Sequence, residues 1–497
     1  MSLILVIDQG TTATQVSLVN QKGELIGQHD SEFSQIFPEP GWVEHDPLQI
    51  WQTVVHGIQM VLQKTQKNAS EISCIGITNQ RETTVAWDRH GNPLYHAIVW
   101  QCRRTAERCR KLNPKKKWIN QKTGLVNDPY FSATKMEWLL KNSPKVKQAK
   151  KEGALHFGTI DSFLIYRLTS GKSFVTDVTN ASRTMLMNLR TCNWDKDLLQ
   201  LFGIKEEWLP RILPSQGLFG VTYGLEVLPD GIPITGVLGD QQAALFGQLC
   251  HHVGEAKITF GTGSFILVNS GSKPIWSQYG LLSTVAWQLG HQVPPTYAIE
   301  GGAFICGAAV TWVKEQLGWI RSSAEIETKA KEVPNTGGVT FIPALSGLGA
   351  PFWDSQVRGT FLGLTRGTQV SHLCRAILEA LAHQNVDILE AMEKDLPKRI
   401  TTIKVDGGAS QNNLLMQLQA DFSGIKVVRP KQVETTTLGA AFMAGLGQGI
   451  WSSLKELSSV WKTEQQFEPQ LKSKNVAQSR KEWLRTIQAV RKCYSFK

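Results

Sequence analysis

A chain of 497 residues exceeds the ~250–300 at which a single hydrophobic core stops growing, so two domains or more are expected. With 41% hydrophobic and 19% charged residues, the composition excludes a disordered or fibrous protein. The formal charge of +11 lies largely in short runs at 115–117 and 145–151, without aromatic interleaving or a nucleic-acid module; it reads as solvated surface, and no nucleic-acid partner is expected.

The first residues run straight into an apolar segment with no basic leader or cleavage site, which predicts no signal peptide. Residues 3–7 have the continuous apolar character of a buried strand, and 15–19 alternate like a second one. Between them lies the turn Asp8-Gln9-Gly10-Thr11-Thr12. Asp46-Pro47 has the cap and first-turn signature of a helix, continued at helical spacing by Trp51, Val54, Val55, Ile58, Val61 and Leu62. Residues 234–238 predict a strand that stops just short of Asp240, followed by a helix over 241–247.

The opening pattern then recurs: a strand at 256–260, the turn Gly261-Thr262-Gly263-Ser264, and a strand at 265–268. The longest nearly uncharged apolar stretch, 301–313, is short of the ~20 residues that span a bilayer, so no transmembrane segment is expected. A helix is predicted through Val370, Leu373, Cys374, Ile377, Leu378 and Leu381. A strand at 403–405 leads into Asp406-Gly407-Gly408-Ala409 and a helix starting near Gln411 or Asn412. Strands mixed with amphipathic helices give an α/β class. The repeat divides the chain into two similarly built halves, 1–250 and 251–497. Eight scattered cysteines with no Cys-x-x-Cys pair fit reduced thiols, hence a cytoplasmic protein without a zinc site. Exposed helices of mixed charge are compatible with a homo-oligomer, dimer or tetramer.

Phosphate oxygens need backbone N–H groups at close range, which glycine and small hydroxyl residues permit. Gly10-Thr11-Thr12 and Gly261-Thr262-Gly263 each meet this need, though either alone reads more readily as a plain hairpin. Their duplication favours a pair that grips a polyphosphate from both sides. Asp406-Gly407-Gly408 is a third such turn, or a close strand-to-helix packing turn. No Gly-x-x-x-x-Gly-Lys-Ser/Thr segment occurs. Phosphoryl transfer to an alcohol needs a carboxylate near the hydroxyl and a metal ion near the phosphates. Asp240 suits the first role and is alternatively a helix N-cap. Asp8 suits Mg2+ and is alternatively a turn aspartate. Arg81 and Glu82 are either a surface ion pair or a donor–acceptor set for polyol hydroxyls.

The string Ile77-Thr78-Asn79-Gln80-Arg81-Glu82-Thr83-Thr84 completes a pattern with Trp100-Gln101-Cys102-Arg103-Arg104-Thr105, Gly239-Asp240-Gln241-Gln242 and Gly41-Trp42-Val43-Glu44-His45-Asp46. Together these closely resemble the carbohydrate kinases of the FGGY type, and among them the members that phosphorylate glycerol. The resemblance runs from Ile4 to about Trp451. It implies a two-lobed actin-like ATPase fold of the ribonuclease H type, with the active site in the cleft, ATP and Mg2+ as reaction partners, and glycerol as acceptor. It further implies Thr11, Thr12 and Ala13 at the first phosphate turn, Thr262 at the second, Gly307 and Thr311 on the nucleotide side, and Gly408 with Asn412 near the adenine. Arg81, Glu82, Tyr130, Asp240 and Gln241 would hold the hydroxyls, and Phe265 would pack on the carbon face. Asp240 would be the general base, with Asp8 and Asp240 facing the metal. A kinase for another small sugar or polyol, and an actin-like ATPase with no acceptor alcohol, are the alternatives. Two positions depart from the family pattern: Gln15 stands where an arginine is usual, and Thr311 where glutamine is frequent.

Overall fold

The computed structural model describes residues 2–494. Its first sheet comprises β1 (Leu3–Gln9), β2 (Ala13–Asn20), β3 (Leu25–Glu32), β4 (Ile72–Asn79), β5 (Gln216–Val221) and β6 (Pro233–Gly239), in the spatial order β5-β6-β4-β1-β2-β3. The second comprises β7 (Glu255–Phe260), β8 (Ser264–Gly271), β9 (Leu282–Trp287), β10 (Thr296–Ala303), β11 (Thr402–Asp406), β12 (Lys426–Pro430) and β13 (Thr463–Phe467), in the order β9-β10-β8-β7-β11-β12-β13. β1 pairs antiparallel with β2 and parallel with β4, which pairs parallel with β6. β7 repeats this with β8, β11 and β12. One topology is therefore used twice, with β9 as an added edge strand.

Seven helices matter for the site: α1 (Pro47–Thr65), α2 (Asp240–Gly247), α3 (Gly307–Glu315), α4 (Val370–Asp395), α5 (Asn413–Ser423), α6 (Thr435–Gln448) and α7 (Ser473–Tyr494). α1 starts where the Asp46 side chain accepts from Leu48 N at 2.9 Å. Its apolar stripe, Ile50, Val54 and Ile58, packs with Leu5 and Ile7 of β1, while Ile4 and Val6 pack on the opposite face with Ala440, Ala441 and Met443 of α6. Burial on both faces is why β1 reads as an unbroken apolar run rather than an alternation. On the second sheet, Ile258, Ile266 and Ile299 share a core with Ile377, Leu381 and Ile388 of α4.

The halves exchange helices. α2 follows β6 yet packs against β7, β8 and β9, and α6 follows β12 yet packs against β1, β4 and β6. The two helices cross with almost no separation. A methyl group on Gly439 would run into the Ala243 carbonyl oxygen, and one on Gly247 into that of Thr435. Beyond Trp451 the chain adds β13 to the sheet edge and lays α7 on α4. There buried Arg480 donates from Nη2 to Asp387 Oδ1 at 2.7 Å, and Trp483 Nε1 donates to Asp387 Oδ2 at 2.8 Å. Among the described residues no helix is long and apolar enough to cross a membrane.

Candidate active site

The candidate side chains gather where parallel strands of both sheets end. β1 and β6 flank β4 with Asp8 and Leu238 both level with Thr78, so at ~4.8 Å per strand the two ends lie about 10 Å apart. Asp8 precedes the first Gly-Thr turn and Asp240 follows β6. The two carboxylates are close enough to repel: burial, then Asp240, Glu434 and Asp30, pushes the Asp8 carboxyl well above the ordinary range. A cation beside Asp8 would relieve that repulsion. Among the described residues no cluster of three or more His, Cys, Asp or Glu is arranged to hold a metal. A two-carboxylate set of this kind suits Mg2+, which usually keeps waters and phosphate oxygens in its shell.

Asp240 is the first residue of α2, and Gly239 occupies the cap position. Its Oδ1 accepts from Gln241 N at 2.6 Å and lies 3.1 Å from Arg81 Nε, while 30% of the side chain remains exposed. Asp240 therefore lies inside the helix and is not its N-cap, the alternative its position in the sequence offered.

Arg81 and Glu82 do not form the surface pair that adjacency allows. They are 3% and 1% exposed, and each bonds to a distant residue. Arg81 donates from Nη1 and Nη2 to the two oxygens of Glu300 at 2.6 and 2.9 Å, and from Nη1 to Gln242 Oε1 at 3.2 Å. Glu82 accepts from Arg183 Nε at 2.6 Å, and Arg183 Nη2 also donates to Glu300 at 3.2 Å. Asp240, Arg81, Glu300, Arg183 and Glu82 thus form one chain of alternating sign. The backbone at Glu82 is left-handed, with φ 62°, a conformation that costs a non-glycine residue roughly 1–2 kcal/mol. Hydroxyls of Ser132 and Thr84 donate to the Glu82 carbonyl at 2.8 and 3.1 Å and hold that turn. Burial pushes the Glu300 carboxyl up, but Arg183 and Arg81 outweigh it and bring it down to about 2, so Glu300 is ionised at neutral pH.

Gln241 is buried in α2, and its Oε1 accepts from Lys257 Nζ, which also donates to Thr259 Oγ1 at 2.7 Å. With that oxygen taken, the amide presents its NH2 group as a donor. Burial brings the Lys257 ammonium down to about 8 against the pull of Asp406 and Asp240. Tyr130 packs edge-on to Trp100, with ring centroids 5.5 Å apart, and lies 5.7 Å under the Arg183 guanidinium. Burial and Glu82 push the Tyr130 phenol upward, so it keeps its proton and can donate. Phe265 of β8 is paired with Gly302 of β10, where a methyl group would sit 3.0 Å from the ring.

At the first turn, Gly10 N donates to Ala13 O at 2.9 Å. The Gly10 carbonyl accepts from Gln9 and Gln80, that of Thr11 from Gln35, and the Thr11 hydroxyl from Trp100 Nε1 at 3.0 Å. With its acceptors so engaged, the turn offers an anion N–H groups and the exposed Thr12. At the second turn, Gly307 N donates to Gly261 O at 2.9 Å, and Cys306 N and Ala308 N to Thr262 O at 2.8 and 3.1 Å. A methyl group on Gly307 would lie 2.7 Å from Gly261 O, so its glycine is required by packing on this turn. Thr311 is exposed one helical turn further along α3. The third turn abuts the second, Gly407 having φ 82° and facing the Phe260 backbone. Gly408 is exposed with open space beside it, and Asn412 caps α5 by accepting from Leu415 N at 2.8 Å. Gln15 accepts from Thr437 Oγ1 of α6 at 2.8 Å and donates to Asp30 at 3.0 Å, linking the halves.

Sequence reasoning missed Arg183, Glu300 and Lys257, all fully or nearly fully buried. For Glu300 the signal was a lone charge within the otherwise uncharged strand Thr296–Ala303, which must find a partner to be buried at all; Lys257, with Glu255 in the same strand, and Arg183, in a polar segment, carried no such mark.

Residues 3–247 match the N-terminal domain of the FGGY family of carbohydrate kinases, and residues 256–447 match its C-terminal domain. The chain is 54% identical to the glycerol kinase of Bdellovibrio bacteriovorus, covering 98% of this chain and 99% of the relative. It is 50% identical to that of Symbiobacterium thermophilum, covering 98% of each. These alignments reach past Trp451, where the sequence reading ends the resemblance, into β13 and α7. Among solved structures, Plasmodium falciparum glycerol kinase with ADP superposes with a TM-score of 0.93 at 36% identity, over 99% of this chain and 98% of that one. A ligand-bound xylulose kinase from Lactobacillus acidophilus, at 23% identity and a TM-score of 0.88, shares the fold. The architecture is the two-lobed actin-like ATPase fold of the ribonuclease H type. On the strength of both matches, which together span most of its length, the chain belongs to the FGGY family of carbohydrate kinases.

Proposed function

We infer that this chain transfers the γ-phosphoryl group of ATP to glycerol, giving glycerol 3-phosphate and ADP. The relatives that carry this activity in their names align end to end at about half identity. Within the molecule, the strongest support is the contact between Asp240 and Arg81, which sets an ionisable, partly open carboxylate beside a buried donor–acceptor set suited to a short polyol.

In this reading residues 1–250 and 251–497 act as the two lobes. Arg81, Glu82, Tyr130, Asp240 and Gln241 hold the three hydroxyls: Glu82 accepts, Arg81 and the Gln241 NH2 donate, and Phe265 covers the carbons. Thr11, Thr12 and Ala13 on one side and Thr262 on the other hold the phosphates, with Gly307 and Thr311 flanking the nucleotide and Gly408 and Asn412 near the base. Mg2+, held through Asp8 and Asp240, would supply charge compensation on the phosphates. The terminal hydroxyl oxygen forms its bond to the γ-phosphorus as the bond to the β–γ bridging oxygen breaks, and that electron pair leaves with ADP. The hydroxyl proton passes to Asp240. Because this transition state is loose, positioning counts for more than early deprotonation. Placement in the cytoplasm belongs to the same proposal and fits eight cysteines that are all free thiols.

A coupled ADP-release assay over glycerol, dihydroxyacetone, xylulose and gluconate tests this. Glycerol should give the highest kcat/KM. A higher value with xylulose or gluconate, or ADP release indifferent to any alcohol, would overturn it.

A further inference from the structure

Arg81 belongs to the first lobe, where Nη1 also reaches Gln242 at 3.2 Å, but its two shortest bonds go to the second. Glu300 lies on β10, 219 residues further along the chain, and receives both terminal nitrogens of the Arg81 guanidinium. Bidentate pairing fixes the plane of the fork as well as its position. With Nη1 and Nη2 bonded to Glu300, it is Nε that lies beside Asp240, 3.1 Å from Oδ1. Without Glu300, the terminal nitrogens would be free to turn onto Asp240, closing the carboxylate off from an incoming hydroxyl. Arg183 steadies the arrangement from the other side by joining Glu300 to Glu82.

We propose that Glu300 is a positioning residue for the polyol site: by holding the Arg81 fork from the opposite lobe, it keeps Asp240 open and Arg81 aimed, so that acceptor binding depends on the register of the two lobes. This rests on the glycerol kinase reading above. The alternative is that Glu300 merely balances charge in a buried cluster.

Glu300→Gln keeps the side-chain shape but leaves two guanidiniums undercompensated, so it is measured beside a second, charge-balanced variant. Arg183→Gln supplies the background that restores the charge balance. In steady-state assays with both substrates varied, Glu300→Gln should raise the glycerol KM at least tenfold and leave the ATP KM within about twofold. The double variant Glu300→Gln/Arg183→Gln should recover most of any lost thermal midpoint, while its glycerol KM stays at least tenfold above that of Arg183→Gln alone. Glu300→Asp, which keeps the charge, should regain part of the loss. A double variant whose glycerol KM equals that of Arg183→Gln would overturn the proposal and leave only a charge-balancing role. A parent enzyme with no glycerol-dependent ADP release would instead refute the functional reading.

Discussion

Asp240→Asn separates chemistry from architecture in a single atom. The asparagine Oδ1 can still accept from Gln241 N, as the carboxylate does at 2.6 Å, and stays beside Arg81 Nε, 3.1 Å away in the parent. Arg81 keeps its two bonds to Glu300, so no buried cation is abandoned. Because 30% of the side chain is exposed, the lost ion pair is screened, and stability should change by less than about 1 kcal/mol. What disappears is a group able to take a proton. A positioned acid–base group contributes roughly 10²–10⁴ in rate, or about 3–5 kcal/mol of barrier. Coupled ADP-release kinetics with glycerol and ATP varied in turn should therefore show kcat lower by that factor, glycerol KM within about tenfold of the parent, and an unchanged thermal midpoint. A variant that turns over within a few-fold of the parent would show that the proton leaves by another route.

Three further outcomes follow from the packing. Lys257→Met should leave the Gln241 oxygen unpaired, at a cost of roughly 1–3 kcal/mol for a buried acceptor, read as a glycerol KM about 5- to 150-fold higher; an unchanged KM would mean that the amide is oriented by something else. Gly439→Ala forces a methyl group against the Ala243 carbonyl, backbone on backbone, and should destabilise by about 3 kcal/mol or more in denaturant titration. Asp161, buried and bonded by the hydroxyls of Thr159 and Thr176, has its carboxyl pushed up from 3.8 to about 7 by burial and by Asp177. The folded state thus binds this proton more tightly than the unfolded chain does, so the stabilisation is complete below about pH 4 and is lost as pH rises through about 7. Measured against the parent, Asp161→Asn should gain on the order of 4 kcal/mol in relative stability across that window, whereas a constant difference would place the titration elsewhere.

The sequence made the local features legible. An unbroken apolar run marks β1 because it is buried on both faces, and Gly-Thr turns stand out because close backbone approach demands small residues. Asp46-Pro47 announces α1 for a reason contained within three residues. What stayed hidden lies in partners far apart along the chain. Glu82 and Arg183 are separated by 101 residues and Arg81 and Glu300 by 219, so nothing near any of them records the bond. Adjacent opposite charges invited pairing between Arg81 and Glu82, but the left-handed turn at Glu82 leaves each to a separate partner. The exchange of α2 and α6 was likewise unreadable, because helical periodicity shows that a face is buried but not against which sheet.

That exchange bears on how the polypeptide matures during synthesis. The strands of the first lobe are complete once Gly239 has been added, but the helix that seals their back does not exist until Gln448 emerges. At ~5–20 residues per second, translation of the intervening stretch takes roughly 10–40 s. For that interval the nascent N-terminal sheet carries a bare apolar surface over β1, β4 and β6, which makes a ribosome-bound chain halted before Gln448 a natural client for chaperones.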